Sequence, residues 1–241
     1  MVELTQTELL NGFFIVIIVI IYFYIGFKLY AKYIAYKDIK LIYLGTNVIF
    51  QSIGWFSIAL TYVMILAFGV PLPDSLYILI GHGIAPISLL SWVLLLSEIM
   101  WKNKQKIILI VFGIYFVLIT VIFFYLWVTD LSALGTVIGN LDFNMAPFLI
   151  IRSLLSLVIG LSTVILFFRE SHKSDNPEVR LKGTLFLLGV LLLFGGVILF
   201  VIVQTTFITL VFTVPSALCL YAGLIMPDWI KKIFIKEREQ K

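Results

Sequence analysis

Long apolar runs separated by short lysine-rich clusters set the pattern of this chain. Seven runs stand out, over residues 11–30, 41–68, 76–98, 107–128, 146–168, 182–203 and 205–226. Each reaches the ~20 residues that an α-helix needs to cross ~30 Å of hydrocarbon. The sixth and seventh are divided only by Gln204, Thr205 and Thr206. Read as one helix, residues 182–226 would be about 67 Å long, twice the bilayer, so a tight turn is expected between them. The pattern predicts an all-α integral membrane domain over residues 1–226, a seven-transmembrane helix bundle. A short, basic, amphipathic tail over 227–241 follows it.

Charge orients the bundle. Lysine and arginine favour the cytoplasmic side of a membrane protein. Of the 17 basic residues, all but one lie in the connections between runs 1 and 2, 3 and 4, and 5 and 6, or in the tail. The N-terminus and the other connections carry none. The expected topology is N-terminus outside and C-terminus cytoplasmic, in a multi-pass protein of the cell membrane. The exception is Arg152, inside run 5.

Composition agrees. The chain is 62% hydrophobic and 12% charged, with a mean hydropathy of +1.14. A soluble domain is nearer a quarter charged. The opening MVELTQTELLNG lacks the basic region of a signal peptide, so the first run is expected to be retained as a helix. Cys219 is the only cysteine, which excludes a disulfide framework. The net charge of +4 implies no nucleic acid partner, because the basic residues sit at membrane edges.

Local signals fit the same frame. Thr5 and Glu8 form a capping-box pattern for the first helix. Pro147 suits a first helical turn. Pro86 and Pro215 fall inside runs 3 and 7, where neighbours must satisfy the freed backbone. Run 3 (APISLLSWVLLLSEIMWKNK) and run 7 (VPSALCLYAGLIMPDWIKK) share a mid-run proline and an Ile-Met pair before tryptophan and lysines. That suggests a 3+1+3 parallel repeat with run 4 as the linker. Run 4 is nearly devoid of polar residues and is expected to face lipid. In the tail, Trp229, Ile230, Ile233 and Phe234 fall on one side of a short helix expected to lie along the inner surface.

Polar residues inside the runs are the candidates for function. A charge at bilayer depth costs at least ~2.5 kcal/mol. Arg152 lies about 8 Å past Pro147 along its helix. It either snorkels to headgroups or pairs with Asp142 or Asp74, or it binds an anionic group in a cavity open to the outside. His82, in the GHG of run 3, is expected at a similar depth, as a packing histidine or a ligand contact. Gln204, Tyr62 and Tyr77 are candidates to complete an outer polar pocket. Thr206, Thr209, Thr213 and Ser216 recur at helical spacing. They either pack a neighbouring helix or line a polar cavity. Asn47 and Gln51 form an i, i+4 pair suited to interhelical hydrogen bonding. Glu98 and Lys102 are spaced as a surface ion pair.

Several chemistries are excluded. No lysine lies in the interior of run 7 or of any other run, Lys28 and Lys182 standing at run ends, so a retinal Schiff base is not expected. His82 and His172 fall on opposite sides, which rules out bis-histidine haem or a histidine zinc cluster within one chain. No carboxylate lies mid-run. There is no P-loop, G-x-S-x-G or metal motif, so a non-catalytic protein without cofactor is expected.

The seven runs, the external N-terminus and the ending LIMPDWIKK resemble the seven-helix sensor modules of prokaryotic receptors, the archaeal members most. Such modules precede histidine kinases or cyclase domains. Here 15 residues follow Met226, so the output is expected to pass to a separate signalling partner through the basic cytoplasmic loops. The resemblance implies a receptor or sensor with a small anionic or lipidic ligand in its outer half. A carrier or channel for a small neutral or anionic solute is the alternative, and a non-catalytic scaffold subunit of a membrane complex is a third. Membrane lipids are expected partners in every case.

Overall fold

A computed structural model describes residues 3–203 and 206–235. Almost all of them are helical. In chain order the helices are α1 (Gln6–Tyr36), α2 (Ile39–Gln51), α3 (Ile53–Phe68), α4 (Asp74–Ile78), α5 (Pro86–Met100) and α6 (Gln105–Thr129). They continue with α7 (Pro147–His172), α8 (Pro177–Val203), α9 (Thr206–Ile225) and α10 (Asp228–Phe234). Among the described residues five helices are long and apolar enough to cross a membrane, or up to seven if each bent pair is one span. The chain divides into two compact units between Ser156 and Leu157.

In the first unit α1 opens with the capping box. Thr5 N donates to Glu8 Oε2 at 2.8 Å, and Glu8 N donates to Thr5 Oγ1 at 3.3 Å. α1 then packs on α2 and α3. The α1–α2 contact is close because both helices present glycine. A Cβ on Gly45 would lie 2.7 Å from the Tyr30 ring and 3.1 Å from the Gly26 carbonyl oxygen. Tyr30 also shares a 2.9 Å hydrogen bond with Thr46. On the other side of α2, Asn47 Nδ2 donates to Ser88 O and Ser88 Oγ, both at 3.0 Å, and Ser88 Oγ donates back to Asn47 O at 3.2 Å. The expected interhelical role of Asn47 is thus met by α5.

One run read as a single helix is broken and another is distorted. Run 2 divides at Ser52, whose N–H and hydroxyl both turn back to Ile49 O, and its halves meet at 49°. Run 3 stays one span, Asp74–Met100, but Leu79–Gly83 within it form a π-helical turn between α4 and α5.

The sequence reading contained no strand, yet residues 135–145 form a hairpin. β1 (Gly135–Ile138) pairs antiparallel with β2 (Asp142–Met145), with Thr136 opposite Asn144 and Val137 opposite Phe143. Gly139 in the turn has φ +60. The turn is tied to α1, since Asn140 Nδ2 donates to Glu8 Oε1 at 3.0 Å. Below it, Leu134 and Leu149 are fully buried with Tyr77, Ile78 and Phe123. Along α6 Phe123 alone is buried, while Ile110, Val111, Ile114, Val117, Leu118 and Val121 are exposed, as a lipid-facing helix would be.

In the second unit α8 and α9 pack along much of their length. Ser216 Oγ donates to Gly189 O at 2.7 Å, and Gly223 faces the Leu185 side chain and Lys182 carbonyl. α10 turns 92° away from α9. Lys231 Nζ reaches Glu178 at 2.9 Å and Lys182 reaches the same carboxylate at 2.7 Å. Met226 and Ile230 are buried with Ala222, while Trp229, Ile233 and Phe234 are exposed.

Overpacking a close helix contact costs about 1–3 kcal/mol. Gly45→Val is therefore expected to lower the thermal unfolding temperature of the purified protein. An unchanged midpoint would show that the α1–α2 contact is looser than described.

Candidate functional site

The distortion in run 3 organises the site. Its glycines admit close neighbours. A Cβ on Gly81 would lie 2.6 Å from Ser57 Oγ of α3, and one on Gly83 would lie 2.9 Å from the Phe123 ring of α6. Pro86 then opens α5. Proline has no N–H, so the carbonyl four residues earlier loses its helical donor. That carbonyl belongs to His82. The next amide, Ile87 N, donates instead to Ile84 O at 3.1 Å. His82 O is met from α7, where Arg152 Nη1 donates to it at 2.8 Å.

Arg152 is only 6% exposed, so it does not snorkel to the surface. The ion pairs of the described residues include none between Arg152 and Asp74 or Asp142. Its guanidinium carbon lies 5.9 Å from the centre of the Phe123 ring, a cation–π arrangement. One turn on, Ser156 Oγ donates back to Arg152 O at 3.0 Å. No group around the guanidinium carries a formal negative charge among these described contacts.

The hairpin closes the site from one end. The Phe143 ring lies 4.8 Å from the His82 ring and 5.7 Å from the Tyr77 ring. Tyr77 is buried and its hydroxyl donates to Leu141 O over a long 3.4 Å. Tyr62 packs with Ile65 and the same Leu141, its ring lying flat against Gly12 of α1. Arg152, His82 and Tyr77 are therefore neighbours, and Tyr62 joins them through the hairpin.

The other candidates lie elsewhere. Gln204 is outside the described residues. So are the side chains of Thr206 and Thr209, although their backbone belongs to α9. Thr213 and Ser216 are fully buried in the second unit, and the Ser216 bond to α8 is the packing alternative of the threonine stripe. Glu98 and Lys102 form the expected i, i+4 pair at 3.2 Å. Among the described residues no group of three His, Cys, Asp or Glu side chains could hold a metal. An open groove on α6 is lined by Leu109, Ile110, Gly113, Ile114, Val117 and Leu118, and so offers a ligand no polar group.

Sequence reasoning missed two contributors. Phe143 lies in a connection for which no element was expected, although the Gly139-Asn140 pair between alternating apolar residues signals a hairpin. Phe123 lies in run 4, expected to face lipid. The meeting of Arg152 with His82 was legible in part, because Pro86 stands four residues after His82 and leaves its carbonyl in need of a donor. No protein-family model, curated protein or solved structure matches the chain.

A double-mutant cycle tests the backbone role of Arg152. An alanine at position 86 restores an N–H to the helix. Replacing Arg152 with leucine is then expected to cost about 1 kcal/mol less in a Pro86→Ala background than in the wild type. Equal costs in the two backgrounds would mean that Arg152 does not substitute for the missing amide.

Proposed function

We propose that this is a receptor-like seven-helix protein of the cell membrane, N-terminus outside, which binds a small anionic or lipidic ligand in its outer half. The observation that carries this reading is the buried Arg152 guanidinium, whose described partners are a carbonyl and the Phe123 ring. A carbonyl satisfies a donor but does not neutralise a charge. A charge held at that depth without a counter-ion is costly, and an anionic ligand removes the cost. The His82 and Tyr77 rings, gathered on Phe143, would border the ligand. The relay would be the π-turn in run 3, since a ligand drawing Arg152 away from His82 O changes what holds that turn. Output would go to a separate partner through the basic cytoplasmic connections.

A carrier is the second reading, and one observation favours it. The break at Ser52 and the π-turn lie side by side, with Gly54 and Ser57 against Gly81. Broken helices at membrane depth are tolerated where they line a cavity or are buried in protein, and carriers use them at solute sites.

Native mass spectrometry of the purified protein separates these outcomes. Wild type is expected to retain an anionic species that Arg152→Gln loses, with Arg152→Lys intermediate. Identical bound species in all three proteins would remove Arg152 as a ligand anchor. Uptake of the retained species into liposomes would favour the carrier over the receptor.

A further inference from the structure

The hairpin over residues 135–145 is built as a movable cover. Its strands alternate between two faces. Thr136, Ile138, Asp142 and Asn144 are exposed, while Val137, Phe143 and Met145 turn to the protein. On that inner face the Phe143 ring lies against the His82 and Tyr77 rings. Leu141, at the end of the turn, is buried on Tyr62 and Ile65 of α3. The two strands have no third beside them, and an isolated pair is marginal by itself. The hairpin therefore stays closed through what it touches.

Its two ends are held differently. At the base Leu134 and Leu149 are fully buried, and Ala146 N donates to Leu134 O at 3.1 Å. Gly135 follows with φ +147, a backbone conformation that favours glycine, and a Cβ there would lie 2.4 Å from Asn144 O. Hinges are a few such positions at the ends of elements. At the tip the ties are polar. Asn140 Nδ2 donates to Glu8 Oε1 at 3.0 Å, and the Tyr77 hydroxyl donates to Leu141 O over 3.4 Å. Glu8 is itself fixed, because its other oxygen accepts from Thr5 N and Thr5 Oγ1, both at 2.8 Å. The capping box of α1 thus presents a held acceptor to the hairpin tip.

We propose that residues 135–145 are a lid over the His82 and Tyr77 end of the Arg152 site, hinged at Gly135 and latched at its tip by Glu8 through Asn140. The purpose of the lid rests on the reading of that site as a ligand site, whereas its mechanics do not. Opening lifts Phe143 off His82 and Leu141 off Tyr62, and admits a ligand to the Tyr62 and Tyr77 rings, which are buried while the latch is made. Closing shuts them away from water again. The latch is the weak end of the lid, since it gives way by exchanging one hydrogen bond for water, while the base is held by buried leucines.

The test reads access beneath the lid. The full chain with Cys219→Ser and Ile65→Cys carries a single thiol, under Leu141. A charged, water-soluble methanethiosulfonate labels it in neutral detergent, and mass spectrometry follows the rate. Asn140→Ala is expected to raise that rate about threefold to tenfold, the worth of one hydrogen bond. Asn140→Asp is expected to raise it further, by setting two carboxylates together. Glu8→Gln added to Asn140→Asp exchanges donor and acceptor, keeps a residue that suits the capping box, and is expected to bring the rate back down. A rate that neither Asn140 substitution raises overturns the lid. A raised rate that the exchanged pair does not lower also overturns it, since the Glu8 bond is then no latch. Neither result bears on Arg152 as a ligand anchor, which native mass spectrometry of wild type and Arg152→Gln decides. A rate that rises and is restored, beside identical bound species in those two proteins, supports the lid and removes the ligand reading.

Discussion

A bilayer offers no water to a backbone carbonyl, so every helix break within it must be answered by another part of the protein. Pro86 makes such a break, and Arg152 answers it. The 2.8 Å bond from Arg152 Nη1 to His82 O joins α7 to the π-turn ahead of α5. Other features of the first unit are arranged around that bond. Gly83 lets Phe123 in against the turn, and Phe123 in turn supports the guanidinium. Gly81 lets α3 in on the opposite side. The hairpin then places Phe143 over the His82 ring.

The choice of arginine for this task is informative. A neutral donor such as an asparagine or glutamine amide would satisfy a carbonyl without bringing a charge. Elsewhere in the unit that solution is used, because Asn47 caps Ser88 O across the α2–α5 contact. Arginine solves the backbone problem and creates an electrostatic one. The guanidinium rests instead on the Phe123 ring of α6.

Much of the architecture was legible because lipid simplifies the problem. Apolar length alone marks the long helices, and the Thr5 and Glu8 box marks where the first begins. Breaks were less legible. Ser52 is an ordinary residue in an apolar run, and nothing in its local sequence distinguishes a bend from a continuous helix. The π-turn was partly legible through Pro86, but its extent depends on Ser57 and Phe123 filling the space that Gly81 and Gly83 leave. Those are tertiary facts. For the site, Arg152 and His82 stood out as the rare ionisable residues in apolar runs. That the His82 backbone meets Arg152, while its ring rests on Phe143, could not be read from side-chain chemistry. Phe123 was hidden for a different reason. A helix exposed along most of its surface looks lipid-facing on average, and the average conceals a residue that is not.

The bend at Ser52 bears on how the chain fits its membrane. Straight, the 30 residues from Ile39 to Phe68 would measure about 45 Å, well beyond ~30 Å of hydrocarbon. α2 accounts for about 20 Å of that and α3 for about 24 Å. With α2 along the bilayer normal, a 49° bend shortens the height contributed by α3 to about 16 Å, and the pair stands about 36 Å tall. If the bent pair is one span, hydrophobic mismatch is reduced by folding length sideways, sparing the bilayer the thickening a straight helix would impose. The sideways leg is also what brings Gly54 and Ser57 against the π-turn.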